Sequence, residues 1–250
     1  MKGHSIWWDP HEPDWWVAFL FAVGSACFAL GATPPYAAWV GAEGDGITYF
    51  VGSLFFTSAA WLQLLVSVGA VRPGVRSRRA ARWRTLVRAP RHAEWWAGVV
   101  QFAGTLLFNI STWSALHLSL TADQAQHRVW APDALGSIAF LVASGLAYAE
   151  VVRPWLQWRP RDLAWSVTTL NMAGSIAFGL SAIGAYVITG TDQLRNAELA
   201  NLGTFVGAIC FLVGALLLIP EEHESAEEDT PSEPLPSDVA TTGRGDDDGG

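Results

Sequence analysis

Residues 199–219 read LANLGTFVGAICFLVGALLLI, a run of 21 residues with no charged side chain. A bilayer core about 30 Å thick is crossed by about 20 mostly apolar helical residues. Five further stretches have the same character: 15–32, 47–70, 95–116, 134–152 and 163–189. Glu150, near the end of the fourth in chain order, is the exception to their lack of charge. A soluble amphipathic helix carries a polar stripe opposite its apolar one, and these segments do not. Backbone in hydrocarbon must satisfy its hydrogen bonds within the segment. The reading is therefore all-α: a polytopic membrane protein with six transmembrane helices.

Composition agrees. The chain has 250 residues, 51% hydrophobic and 15% charged, with 14 Trp and a formal charge of -8. Residues 221–250 hold 11 acids and one base, Arg244, so 1–220 keep 14 bases and 12 acids, a balance of +2. A globular domain is about a quarter charged, which excludes an ordinary soluble enzyme. Two Cys exclude a disulfide framework and a Cys-rich metal site.

The segment before the first span carries Lys2 against Asp9, Glu12 and Asp14, the wrong balance for the basic start of a signal peptide. The first span is thus expected to stay as an anchor. The connections 33–46, 71–94, 117–133, 153–162 and 190–198 hold 0, 8, 1, 3 and 1 Arg. The positive-inside rule places the second and fourth in the cytoplasm, and both termini with them. Trp15-Trp16, Trp95-Trp96 and Trp165 open the odd spans, where indoles favour the headgroup layer.

Each span carries a small pair with a Phe four residues after its Gly: Gly24 and Phe28, Gly52 and Phe56, Gly104 and Phe108, Gly136 and Phe140, Gly174 and Phe178, Gly207 and Phe211. Trp15, Trp95 and Trp165 stand nine residues before the Gly in odd spans, and Glu150 and Glu221 fourteen after it in two even ones. This pattern predicts three parallel two-helix pseudo-repeats, roughly 15–70, 95–152 and 163–220. A helical side chain leans toward the N-terminus, so each Phe is expected over the Gly of its own helix. The Gly notch then lets a neighbouring backbone approach, as does the Gly203/Gly207 step. Helix packing is the plain role of the motif, and a ligand groove lined by all six is the sharper one.

Phe19 to Phe28 with Gly24-Ser25, the run Gly52-Ser53-Leu54-Phe55-Phe56, and Asn201-Leu202-Gly203 through Gly207, Phe211, Gly214 and Pro220-Glu221 resemble the YrhK-like domain of small bacterial membrane proteins. The resemblance implies paired hydrophobic helices around a Gly-Ser-x-x-Phe-Phe core. It implies no activity and carries over no catalytic residue. Fourteen Arg against one Lys also suit GC-rich bacterial coding, so the expected location is a bacterial cell membrane.

Polar groups within the spans are sparse. Gln101 and Asn171, each three residues before a motif Gly, could bond each other, or with Asn109 line a polar path. No Asp, Glu, Lys, Arg or His falls mid-span, which argues against a proton-coupled transporter. Asp133 and Glu198 mark span starts, and Glu150 stands three residues from Arg153. His4 and His11 with their acidic neighbours lack zinc-ligand spacing. His117 and His127 have no nucleophile pattern beside them, and Cys27 and Cys210 read as small buried thiols. No catalytic residue, metal or cofactor is expected.

The 71–94 connection is a basic segment. Its Arg76, Arg78, Arg79, Arg82, Arg84 and Arg88, interleaved with Trp83, Leu86 and Val87, suit a short helix on the inner leaflet. Each basic residue near anionic lipid contributes about 1 kcal/mol. Tethered at both ends to the bilayer, it is read as a lipid contact rather than a nucleic-acid site. Residues 1–14 are a short N-terminal segment, and 221–250 should be disordered for want of apolar side chains. The functional expectation is a non-enzymatic membrane scaffold or stress-related component, with the bilayer, anionic lipid or a second copy as partners. A facilitator for a small neutral solute is the alternative, and a membrane-embedded enzyme the third.

Overall fold

The structure is a computed structural model that describes residues 10, 12–67, 93–152, 159–188, 190–191 and 193–228. Side-chain surroundings are described for the same residues except 93, 94 and 219–228. Most of the basic 71–94 segment, with all six Arg read as lipid contacts, lies outside them, as do residues 1–9, 11 and 229–250.

Helices α1 (Pro13–Gly31), α2 (Pro34–Ser67), α3 (Ala93–Ala115), α4 (Ala122–Ala125), α5 (Ala131–Val151), α6 (Leu163–Gly184) and α7 (Ala197–Glu228) follow in order. A two-stranded hairpin, β1 (Val187–Ile188) and β2 (Gln193–Leu194), joins α6 to α7. Five helical segments are long and apolar enough to cross a membrane: Pro13–Gly31, Pro34–Ser67, Ala122–Val151, Leu163–Gly184 and Ala197–Leu218. Among the described residues the elements are all helical apart from that hairpin, and compatible with a multi-pass membrane protein. The sixth expected span, α3, has the length, 23 residues. It falls short in apolarity because Gln101, Asn109, Ser111, Thr112, Ser114 and Trp95, Trp96 and Trp113 dilute its aliphatic content.

Helix ends follow local chemistry. Pro13 sits at the start of α1, where its missing N–H costs nothing, and Asp14 in the first turn meets the helix dipole. The Asp162 carboxylate accepts from Trp165 N at 3.1 Å to open α6, and Asn196 Oδ1 accepts from Leu199 N at 2.9 Å to open α7. Several expected boundaries change. The 33–46 connection is helical on both sides of Gly41, whose φ of 74° breaks the helix and is accessible to glycine. The 117–133 connection holds α4, opened by a Thr121–Gln124 capping box, and a π-turn over Gln126–Trp130. Pro132, just beyond it, cannot donate to an α-helical partner, which favours the wider turn. The fifth span ends at Gly184 rather than 189, because Tyr186 and Gly184 carbonyls are taken by Arg195 N (2.8 Å) and Asn196 N (2.9 Å) in the hairpin. The last helix runs to Glu228, eight residues into the segment expected to be disordered. Glu and Ala in 221–228 are good helix formers, and this offsets the bond lost at Pro220.

The six long helices form a closed ring. The contacts run α1–α2, α2–α3, α3–α5, α5–α6, α6–α7 and back from α7 to α1. Small polar side chains lie inside it and large aliphatic ones outside. Ser25, Ser53, Thr105, Ser137 and Ser175 are fully buried, while Leu54, Ile110, Leu135, Ile138, Ile176, Ile183, Leu202 and Val206 stand exposed on the rim. Trp16 and Trp96 face outward, but Trp15 and Trp165 are buried. Neighbours on a helix lie about 100° apart, so only one of a Trp pair can point to lipid.

Candidate functional site: six phenylalanines between two cavities

The motif Gly and Phe residues meet across helix pairs, not within one helix. A Cβ added at Gly24 would lie 3.0 Å from the Gly52 carbonyl and 3.1 Å from the Phe56 ring. One at Gly52 would meet the Phe28 ring at 2.9 Å. Gly104 and Gly136 face Phe140 and Phe108 at 3.0 Å each. Gly174 faces Phe211 at 3.0 Å, and Gly207 faces Phe178 at 2.9 Å. Each ring thus fills the notch of the partner helix, which corrects the expectation that a Phe covers its own Gly. Leaning toward the N-terminus carries the ring to the level of its own Gly, but the packed neighbour supplies the surface it rests on.

The six rings converge inside the ring of helices. Phe28, Phe108 and Phe178, from α1, α3 and α6, form a triangle with centroids 6.2, 6.0 and 6.0 Å apart. Phe56, Phe140 and Phe211, from α2, α5 and α7, form a second with edges of 6.3, 6.2 and 5.7 Å. The paired rings link the triangles at 5.3, 5.2 and 5.7 Å. These separations fall in the range of favourable aromatic pairs. The result is a two-layer apolar plug with every ring at least 93% buried. A ligand groove lined by all six motifs is therefore absent: the space it needs is filled by the rings.

Hydroxyls tie the helices around the plug. Ser53 Oγ and Thr112 Oγ1 are 2.9 Å apart across α2 and α3. Ser144 Oγ and Ser175 Oγ are 2.7 Å apart across α5 and α6. Ser181 Oγ donates to the Ala200 carbonyl at 2.7 Å.

A cavity lies on each side of the plug. Neighbouring helices run antiparallel, so three residues before the motif Gly leads to opposite sides in alternate helices. On the side where α1 begins, Phe21, Gln101 and Asn171 occupy that position and line the cavity with Gln63, Asp14 and Glu150. Its main lobe measures about 430 Å³, and a lobe of about 60 Å³ reaches Phe211 of the plug. On the side of the α3–α5 and α6–α7 connections, Tyr49, Asp133 and Thr204 occupy the equivalent position around about 450 Å³ floored by Phe28 and Phe178.

The three residues read as a polar path are not brought together. Gln101 and Asn171 share the cavity on the side where α1 begins, yet Gln101 Nε2 donates to Gln63 Oε1 at 3.2 Å and not to Asn171. Asn109 lies elsewhere, its Nδ2 donating to Thr57 Oγ1 at 2.8 Å between α3 and α2. The plug stands between the cavities, so no continuous polar line joins these amides. Cys27 and Cys210 are free thiols, Cys27 against Gly52. Among the described residues no group of His, Cys, Asp or Glu converges as a metal site would. The sequence reading passed over Tyr49, Asp133 and Thr204 as a set. Their common offset from the even-span glycines was the available signal.

No protein-family model, no curated protein and no solved structure matches this chain.

Proposed function

We propose that the chain is a non-enzymatic, six-span protein of a bacterial cell membrane, built of three parallel two-helix units and serving as a scaffold at the lipid boundary. The observation that carries this is the plug: across the middle of the bundle, where a conduit would need space or polar groups, six Phe rings pack against one another. The matched Gly–Phe cradles of α1/α2, α3/α5 and α6/α7 support the three units. The polar faces of α3 turn toward the ring, to Gln63, Thr57 and Ser53, which supports counting it as a sixth span. Both termini are assigned to the cytoplasm, with Arg76, Arg78, Arg79, Arg82, Arg84 and Arg88 against anionic lipid on that side.

The test is reconstitution. Proteoliposomes should pass glycerol and urea no faster than empty vesicles. Phosphatidylglycerol should raise the melting temperature over phosphatidylcholine, and replacing the six Arg by Gln should remove the increase. Protein-dependent flux in the first assay, or equal melting in both lipids, would count against the scaffold.

The two cavities favour a second reading, a facilitator for a small neutral solute held closed by the plug. Flux in wild-type vesicles that rises on Phe178→Ala would select it.

A further inference from the structure

The cavity beside the α3–α5 and α6–α7 connections has a chemistry that the scaffold reading leaves unused. Its single carboxylate, Asp133, is partly buried, and among the described residues has no hydrogen-bond or ion-pair partner. No Lys or Arg lines the space, and its one imidazole belongs to His117, which has no ion pair with Asp133. Arg128 and Arg195, the basic residues of the adjoining connections, are exposed at the surface instead. An unpaired carboxylate drawn into an apolar surrounding is costly, and the cost falls when a cation enters. The rest of the lining suits one kind of cation. Phe28 and Phe178 form an aromatic floor, and Tyr49 and Trp130 add two more rings. Trp130 is held in place, with Nε1 donating to the Ala182 carbonyl at 2.8 Å and its ring edge-on to Tyr186 at 5.0 Å. A hard metal ion would want several oxygens at close range, whereas aromatic faces around one carboxylate suit an alkylammonium head. At about 450 Å³ the space admits a small organic molecule rather than a bare ion.

We propose that this cavity binds a small alkylammonium monocation, with Asp133 as counter-ion and Phe28, Phe178, Tyr49 and Trp130 as the aromatic enclosure. The site stands whether the ring is a scaffold or a closed facilitator, since binding needs no passage through the plug.

The test titrates full-length protein in lipid nanodiscs with choline and, separately, with its uncharged carbon isostere 3,3-dimethyl-1-butanol, followed by calorimetry. Choline should bind saturably and at least tenfold more tightly than the alcohol. Asp133→Asn should weaken choline at least tenfold while circular dichroism and melting stay as in wild type. Thr204→Trp, which fills the cavity and leaves the carboxylate, should abolish binding and covers the case in which the Asn variant does not fold. Absence of saturable choline binding, equal affinity for the alcohol, or wild-type affinity in a folded variant overturns the proposal. Glycerol flux in the same preparation reads the scaffold proposal independently, so the two can fail separately.

Discussion

The Phe108 ring rests in the backbone notch of Gly136, and the relation is reciprocal: Phe140 rests in the notch of Gly104, each ring 3.0 Å from where a Cβ would stand. At that distance a methyl group is admitted only if its neighbours give way, and the Gly104 carbonyl, 3.1 Å from a Cβ at Gly136, is backbone that yields only if the helix moves. Helix separation in α3/α5 is set by two missing side chains.

Gly136→Ala should therefore push α5 off α3. Overpacking of a tight core costs about 1–3 kcal/mol, and the midpoint of SDS-induced unfolding should fall accordingly. Gly179→Ala is the control, since nothing lies within 4 Å of a Cβ there. Equal midpoints for the two variants would show that the notch does not set the spacing.

Phe178→Ala removes one corner of the plug where two triangles meet. Truncating a buried Phe costs about 3–5 kcal/mol in soluble cores, and the loss here should be of that order. Xenon binding to the new space, read by NMR, should appear in the variant and not in wild type. A variant as stable as wild type would mean that the rings do not hold the helices.

The Gln63–Gln101 bond, at 3.2 Å between α2 and α3, is expected to be modest. Interhelical polar bonds in membranes average about 0.6 kcal/mol in double-mutant cycles. The cycle Gln63→Leu with Gln101→Leu should return a coupling near that value. A coupling of zero would assign both amides to the cavity alone.

Orientation is open to a labelling experiment. Ser77→Cys, in the Arg-rich segment, on a background with Cys27 and Cys210 replaced by Ala, should react with a membrane-impermeant maleimide only after the cells are opened. Labelling of intact cells would invert the assignment.

The helices were legible in the sequence because lipid excludes charge over about 20 residues, and uncharged runs such as 199–219 can be counted. The Gly–Phe spacing was legible for the same reason of simplicity. What each Phe touches was not. Within one helix, Phe28 beside Gly24 is a local relation. Phe28 against Gly52 depends on how α1 and α2 cross, which spacing alone does not encode. Gln101 shows the same limit: its position on α3 was plain and Asn171 was its expected partner, yet the ring order sets Gln63 of α2 beside it. Span ends were least legible where backbone geometry rules, as at Gly41 and at the hairpin after Gly184. Asp133 was visible as a residue, but its cavity exists only once the ring closes and α2, α5 and α7 face one another across its interior.

The plug has a consequence for the chambers it divides. A partition of packed rings lets either chamber change its lining, take on water or hold a charged guest without opening onto the other. Substitutions in one chamber are thereby insulated from the other, so the two halves of the interior are free to specialise independently while the partition is kept.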